Sequence, residues 1–450
     1  MKSFERHGRF WPAEDPSNSL AGVLRFDPVK GAHLETDGSF WSVTNFFDGQ
    51  TARTTLLGDI EGVTYTLDGC YQRYHAPTSS ERCSARWEID IVYEGCRLPT
   101  HSVPQFTQMS FRIAHLEHWL GWSNIRLEVK PDPIEVIFSN ELPEHVSLQW
   151  ERPLDEAVQM PTGRLEVELR PMYSNIDRFD TSLSERALIT YTPDEPGSLD
   201  DLLPMVGAVQ QLLSLTVGRA APITDLSIVH KPPWSVSEED RPSSGALIYA
   251  PFRGSHLVDE DLSISSDDML FSAERTSGAY LISQWLPVAS KFQIAIDLLM
   301  TSRYLPVSDS RSRLAIASGA AEALYNVKFE PTAHVDFTDR LKTLAESVER
   351  YFHVLPASLD EWASSVKRDR THLMHADPRK KHTNVVPAFR THADDLEYLL
   401  MLCILREIDE DTLIAGLGRR PERRSSFSEQ LDILTHRAPL SGRPPADLGR

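Results

Sequence analysis

Between positions 364 and 392 the sequence sets Lys367, Arg368, Arg370, Arg379, Lys380, Lys381 and Arg390 against only Asp369 and Asp377. Four histidines, His372, His375, His382 and His392, lie in the same stretch. Seven cations against two carboxylates leave a local surplus of five, in a chain whose 46 basic and 65 acidic residues give a net charge of −19. A solvated helix end also collects cations, because they complement the helix dipole. The chemistry that uses these residue types together is RNA cleavage by transesterification, in which a ribose 2′-OH attacks its own 3′-phosphate. The products are a cyclic phosphate and a free 5′-OH. A histidine near its ordinary pKa can take or deliver the proton at neutral pH. An arginine can hydrogen-bond the phosphate in two places as charge builds on its oxygens. That route calls for no metal and no other cofactor.

Spacing decides which side chains could meet one phosphate. The segment SLDEWASSVKRDRTHL (358–373) has the apolar period of a helix, with Ser358 and Glu361 as a capping box. On such a helix Arg368, His372 and His375 fall within about 60° of one another, and Leu359, Trp362, Val366 and Leu373 form the buried stripe roughly opposite. Arg370 falls at the edge of that stripe, about 140° from His375 if the helix is unbroken. Two registers stand open, Arg370 with His375 and Arg368 with His375. Asp377-Pro378 just beyond favours a helix that loosens before His375, and a groove between two subunits would also bring Arg370 and His375 to one phosphate. Lys367, Arg368, Thr371, His372, Arg379, Lys380 and Lys381 are the expected supporting phosphate ligands. Glu322 and Asp369 are candidates to orient a site group, although ordinary salt bridges would account for them too.

The elements that must carry this run divide the chain into an α+β arrangement. Residues 1–270 form a mainly antiparallel β region: AGVLRFD (21–27), RWEIDIVYEG (86–95), NIRLEVK (124–130), PIEVIFS (133–139), RLEVELRP (164–171) and ITDLSIVH (223–230) alternate apolar with polar residues. One packed helix is expected over 199–217, and an exposed loop over 231–245. Residues 280–415 read as a helical bundle, with segments at 285–301, 313–327, 337–352, 358–373 and 391–408. Thr391 and Asp394 make a second, weaker cap. A flexible basic and polar tail is expected over 416–450, with a short helix at 427–437.

Composition narrows the function classes. A net negative charge argues against non-specific binding to DNA or an anionic membrane, although a local patch can still bind phosphate. Residues 1–5 lack the apolar core of a signal peptide, and the longest apolar run, 398–405, is too short to span a bilayer. A soluble cytoplasmic protein is the expectation. Cys70, Cys83 and Cys96 are spaced by thirteen with His101, His115 and His118 nearby, but no C-x-x-C pair exists. Buried free thiols, and no metal site, are therefore expected. Carboxylates are plentiful, but none can be paired for glycoside chemistry from sequence alone.

Arg370-Thr371-His372-Leu373-Met374-His375 resembles the Arg-x(4–6)-His motif of HEPN domains, the helical-bundle ribonucleases of toxin and antiphage systems. LAIASGAAEAL (314–324), which contains Glu322, and LEYLLMLCILREI (396–408) are similar to the opening and closing helices of such domains in ApeA-type proteins. The N-terminus adds a separate likeness to the ApeA N-terminal domain. Its residues are Gly8-Arg9-Phe10-Trp11, Gly22-Val23-Leu24-Arg25-Phe26-Asp27, Gly31, Leu34-Glu35 and Gly38. Thr371 departs from the Asn, Asp or His usual after the motif arginine. Arg368-Asp369 gives the second register an acidic residue at that place. The resemblance implies a metal-independent endoribonuclease in abortive infection, with catalytic Arg370 and His375 at the interface of a homodimer or higher homo-oligomer. Its implied substrate is RNA, a structured RNA such as tRNA being the best fit to one basic mouth on an acidic protein. It also implies a phage-encoded trigger read by the β region. The contrasting expectation is a non-catalytic RNA- or protein-binding module with a degenerate HEPN dimerisation domain.

Overall fold

The computed structural model describes residues 1–40, 53–79, 82–98, 103–121, 123–130, 145–151, 156–174, 182–230, 245–252, 269–304, 309–351, 356–374 and 386–418. The chain divides into two compact units. The first comprises Met1–Leu213, Ala221–Ser263 and Ser277–Ser283, and the second Ser214–Ala220, Ile264–Thr276 and Gln284–Arg450.

In the first unit six strands close on themselves. They are β1 (Phe4–Pro12), β2 (Leu20–Asp27), β3 (Gly31–Thr36), β4 (Thr54–Ile60), β5 (Val63–Ser79) and β6 (Arg82–Ile89). Every neighbouring pair is antiparallel, and β5 completes the ring by pairing with both β4 and β6. Alternate residues point inward, as the period of two requires: Leu24 and Phe26, Ala32 and Leu34, Tyr65 and Leu67, Ala85 and Trp87 all belong to one buried cluster. Trp87 is wholly buried, and its indole N–H donates to the Thr36 hydroxyl at 3.2 Å, which satisfies the polar atom it takes into the core. Gly8 and Gly22 face each other across β1 and β2. A Cβ on Gly8 would lie 2.6 Å from the Asp59 carbonyl oxygen, and one on Gly22 2.7 Å from that of Glu35, so the backbones here approach too closely for any side chain.

Residues 86–95 read as one strand but form two, β6 and β7 (Ile91–Glu94), broken at Asp90. Both run along the same β5 ladder, with Tyr71 opposite Glu88 and Asp68 opposite Ile91. Between them Gly69 takes φ +66, and its Cα faces the Asp90 side chain. Their outer edges diverge at that break: β6 turns to β3 and closes the barrel, whereas β7 turns to β15 (Ala246–Tyr249). From there the sheet extends through β14 (Ile223–His230), β8 (Phe106–Ile113), β13 (Ser182–Pro193), β12 (Gly163–Ser174) and β11 (Glu156–Met160). A separate hairpin joins β9 (Ile125–Lys130) to β10 (His145–Trp150). Two helices follow the strand pattern's interruptions, α1 (Leu116–Leu120) and α2 (Leu199–Val217), the second as expected. The expected strand at 133–139 and all but Gly245 of the expected loop at 231–245 lie outside the described residues. The tail expected from 416 does not start there, since 416–418 complete the helix Glu410–Gly418, and the rest of it lies outside the described residues.

The second unit is helical. The expected helix at 285–301 is two, α3 (Gly278–Lys291) and α4 (Gln293–Tyr304), which meet at the buried Phe292. Next come α5 (Ser310–Phe329), α6 (Phe337–Glu346), α7 (Pro356–Met374), α8 (Val386–Leu405) and α9 (Glu410–Gly418). Helix α5 packs against α4, α6, α7 and α8, and α6 against α7. Ala317, Ala320 and Ala321 keep the buried side of α5 thin enough for such close neighbours. Neither expected capping residue stands at the start of its helix. Helix α7 begins two residues before Ser358, at Pro356, a residue suited to a first turn because it has no N–H to leave unpaired. Helix α8 begins five residues before Thr391, at Val386.

Trp87 fills the barrel and closes one of its ladders. Trp87→Ala is expected to cost about 3–5 kcal/mol, chiefly through the large cavity it leaves, since the Thr36 hydroxyl keeps its bond to the Gly38 carbonyl. Chemical denaturation of the full chain checks this; a loss below about 1 kcal/mol would contradict the packing described.

Candidate functional site

The cationic run as far as His372 lies on the second half of α7, with Arg390 and His392 on α8, and two neighbouring surfaces fix the orientation of α7. Trp362, Ala363 and Val366 are fully buried and form its apolar side. On the side of α5 and α6, the Arg370 guanidinium donates to Glu322 Oε2 at 2.8 Å and lies over the Phe337 ring, 4.2 Å from its centroid. The ring is buried, so Arg370 combines a cation–π contact with an ion pair and is only 24% exposed. Arg340 stands 4.0 Å from the other Glu322 oxygen and donates to Asn326 at 3.1 Å. One carboxylate on α5 thus gathers two arginines, one from α6 and one from α7.

Lys367 is also engaged. Its ammonium donates to Asp336 Oδ2 at 2.6 Å, and Asp336 is the N-cap of α6, accepting from the Thr338 amide at 2.9 Å. The lysine and that amide hold the Asp336 carboxyl down at about 2.

On the side of α8 the contacts are buried. His392 Nδ1 and Asp369 Oδ2 are 2.9 Å apart, with side chains only 5% and 13% exposed. One turn along α8, Asp395 Oδ2 accepts the Trp362 indole N–H at 3.1 Å. Burial pushes the Asp395 carboxyl up to about 7, overcoming the Trp362 hydrogen bond and the nearby His392, both of which favour the carboxylate. The His372 ring stacks on Phe389, with centroids 6.4 Å apart and planes 13° from parallel.

What faces solvent is different. Arg368 is exposed, and its guanidinium donates to the Ser365 hydroxyl at 2.9 Å. Thr371 is exposed as well, and its hydroxyl donates back to the Lys367 carbonyl at 2.8 Å. The expected residues therefore separate: Arg370 and Glu322 come together, Lys367 and Asp369 are tied to neighbouring helices, and Arg368 and Thr371 look outward. His375, Arg379, Lys380 and Lys381 lie outside the described residues.

Sequence reading assigned no role to Trp362–Asp395, and it counted His392 as one more histidine of the cationic run. The signal available was His392 and Asp395 at i and i+3 within an otherwise apolar helix, a spacing that puts both on one side. Cys70 and Cys403 are buried free thiols, and Cys96 is a half-buried one. The Cys70 thiol donates to the Leu67 carbonyl at 3.3 Å, and burial raises its pKa and carries those of Cys96 and Cys403 to about 12 and 11. Among the described residues no group of three or more His, Cys, Asp or Glu is placed to hold a metal ion, and no helix is long and apolar enough to cross a membrane. The Cys83 side chain and His101 lie outside the described residues.

The raised Asp395 carboxyl gives stability a direction in pH. The folded chain keeps that proton to about pH 7, whereas an unfolded aspartate releases it near 3.8. Between those values the unfolded state binds fewer protons, so this group's contribution to stability falls as pH rises and levels off above 7. The loss is at most about 1.4 kcal/mol per pH unit. Asp395→Asn keeps an acceptor for Trp362 and is expected to flatten that decline in thermal unfolding between pH 4.5 and 7.5, a range chosen to span roughly the two pKa values. Equal slopes in the two proteins would refute the assignment.

No curated protein and no solved structure matches the chain. A family model, ApeA N-terminal domain 1, matches residues 5–277, more than half the sequence. The match spans the barrel, the extended sheet and α2, and it ends as α3 begins. Membership of that family suggests a part in antiphage defence. The chain belongs to the ApeA family.

Proposed function

We propose that the chain is a metal-independent endoribonuclease of HEPN type that acts in abortive infection. RNA, with tRNA as the favoured structured substrate, is cut by attack of a 2′-OH on the adjacent phosphorus. The 2′-O–P bond forms as the P–O5′ bond breaks, and one proton leaves the 2′-OH while another reaches the departing 5′-oxygen. His375 serves as general acid or base, and an arginine of α7 steadies the charge on the phosphorane. Arg379, Lys380 and Lys381 hold flanking phosphates. Two copies of the helical unit pair so that both cationic runs face one cleft. The β region keeps the enzyme quiet until a phage-encoded trigger reaches it.

The observation that carries this reading is the anchoring of α7. Glu322, Phe337, Asp336, His392 and Asp395 hold the helix from α5, α6 and α8, so the face that bears Arg368 is presented from a fixed base. Family membership in antiphage defence supports the biological role.

A second reading has its own support. Arg370 is already satisfied inside the protomer by Glu322 and Phe337, and Thr371 bonds its own helix backbone. Both suit a degenerate bundle that binds RNA or protein without cutting.

Purified full-length protein, incubated with RNA in EDTA, is expected to yield fragments ending in 2′,3′-cyclic phosphate. His375→Ala should lower that rate by about 10²–10⁴-fold with an unchanged circular-dichroism spectrum. Wild-type protein that retains RNA yet leaves it intact would establish the second reading instead, and undiminished cleavage by the variant would remove His375 from the mechanism.

A further inference from the structure

The two arginines of the run have different surroundings, and we infer that they have different tasks. Arg368 contacts the RNA phosphate, and Arg370 is a strut that fixes the helix carrying it. This rests on the reading of α7 as an RNA-binding surface.

The argument begins with what each guanidinium already touches. Arg370 is 24% exposed, paired with Glu322 at 2.8 Å and laid over the buried Phe337 ring. To reach a phosphate it would have to give up an ion pair and a cation–π contact at once, each of which it makes with a different helix. Arg368 gives up much less. Its guanidinium is exposed and meets one neutral hydroxyl, that of Ser365, three residues earlier on the same helix.

The charges around Arg368 point the same way. Residues at i±3 and i±4 share a helix face, and for Arg368 these are Ser364, Ser365, Thr371 and His372, with no carboxylate among them. Glu361 is the first acid on that face, two turns back, about 10 Å along the axis. Asp369, the acidic neighbour in sequence, is directed to His392 in the α7–α8 contact. Lys367 is drawn off by Asp336 at 2.6 Å. Arg368 thus faces solvent with no carboxylate on its own row, which it shares with Thr371 and His372. An arginine so placed can offer a phosphate two parallel N–H donors.

Arg370 and Glu322 then set where that row points. They tie α7 to α5, the helix against which α4, α6 and α8 also pack. Arg370→Ala removes a strut and leaves Glu322 with Arg340 alone as a cation, at 4.0 Å.

The test uses full-length protein and a 20-nucleotide RNA with every 2′-OH methylated, so that binding is read without cleavage. Arg368→Ala should weaken binding about tenfold and reduce the slope of log K against log salt by about 0.7, the change expected when one phosphate of a single strand is no longer neutralised. Arg368→Lys should restore the slope while recovering only part of the affinity, since it keeps the charge and gives up the fork. Glu322→Gln, which frees Arg370 without deleting it, should lower the Tm by roughly 2–4 °C and should not tighten binding. Unchanged affinity and slope in Arg368→Ala would overturn the inference. So would tighter binding by Glu322→Gln, because it would mean that Glu322 had been holding back the RNA-contacting arginine. Absence of binding by wild-type protein overturns it as well. Failure of the nuclease reading is separately visible: wild-type protein would bind the methylated RNA through Arg368 yet release no cyclic phosphate ends from unmodified RNA.

Discussion

The Arg370–Glu322 ion pair, laid over Phe337, is the constraint on which the functional face depends. A helix bearing three cations in four residues has no intrinsic reason to hold one rotation. Arg370 supplies that reason on one side, and the buried Asp369–His392 contact supplies it on the other. Because the two residues are adjacent in sequence, they project about 100° apart and bind α7 to different neighbours. The Trp362 stripe lies between them, which leaves Arg368 and Thr371, on the opposite side, facing solvent.

That arrangement also explains how an acidic chain can hold a cationic surface. On α7, two of the three cations do not sum freely. Lys367 is held by Asp336 and Arg370 by Glu322, so carboxylates from other helices cancel them where they stand. The cation of α7 left over is Arg368, a single solvent-facing charge, which suits engagement of one phosphate better than general attraction to nucleic acid. Buried polar groups such as Asp395 are costly, and their stacking along the α7–α8 contact ties the unit's stability to the same helix that carries its candidate chemistry.

Some of this was legible in the sequence and some was not, for physical reasons. Strands such as β2 and β12 announce themselves because one face is buried and the other wet, so the period of two survives. The break at Asp90 does not, because the same alternation continues along one β5 ladder while the outer partners change from β3 to β15; only Gly69 across the ladder marks it. The cationic run was visible as composition. Its division was not, because Glu322 lies 48 residues before Arg370 and His392 lies 23 after Asp369. A helical wheel places Arg370 near the apolar edge, but it cannot supply the ring and carboxylate that occupy it. His392 looked like one more cation of the run for the same reason: its partner is Asp369 on α7, not a neighbour in sequence. The two capping motifs misled because both sit inside longer helices, whose first residues are Pro356 and Val386.

The central claim is that the face of α7 that presents Arg368 leads into an RNA-cleaving site completed by His375. It is tested most directly by sequencing RNA ends that carry 2′,3′-cyclic phosphate from phage-infected cells expressing wild-type, Arg368→Ala or His375→Ala protein at equal levels. New cyclic-phosphate ends at defined positions should appear with the wild type and vanish with both variants. The same ends in all three strains would contradict the claim.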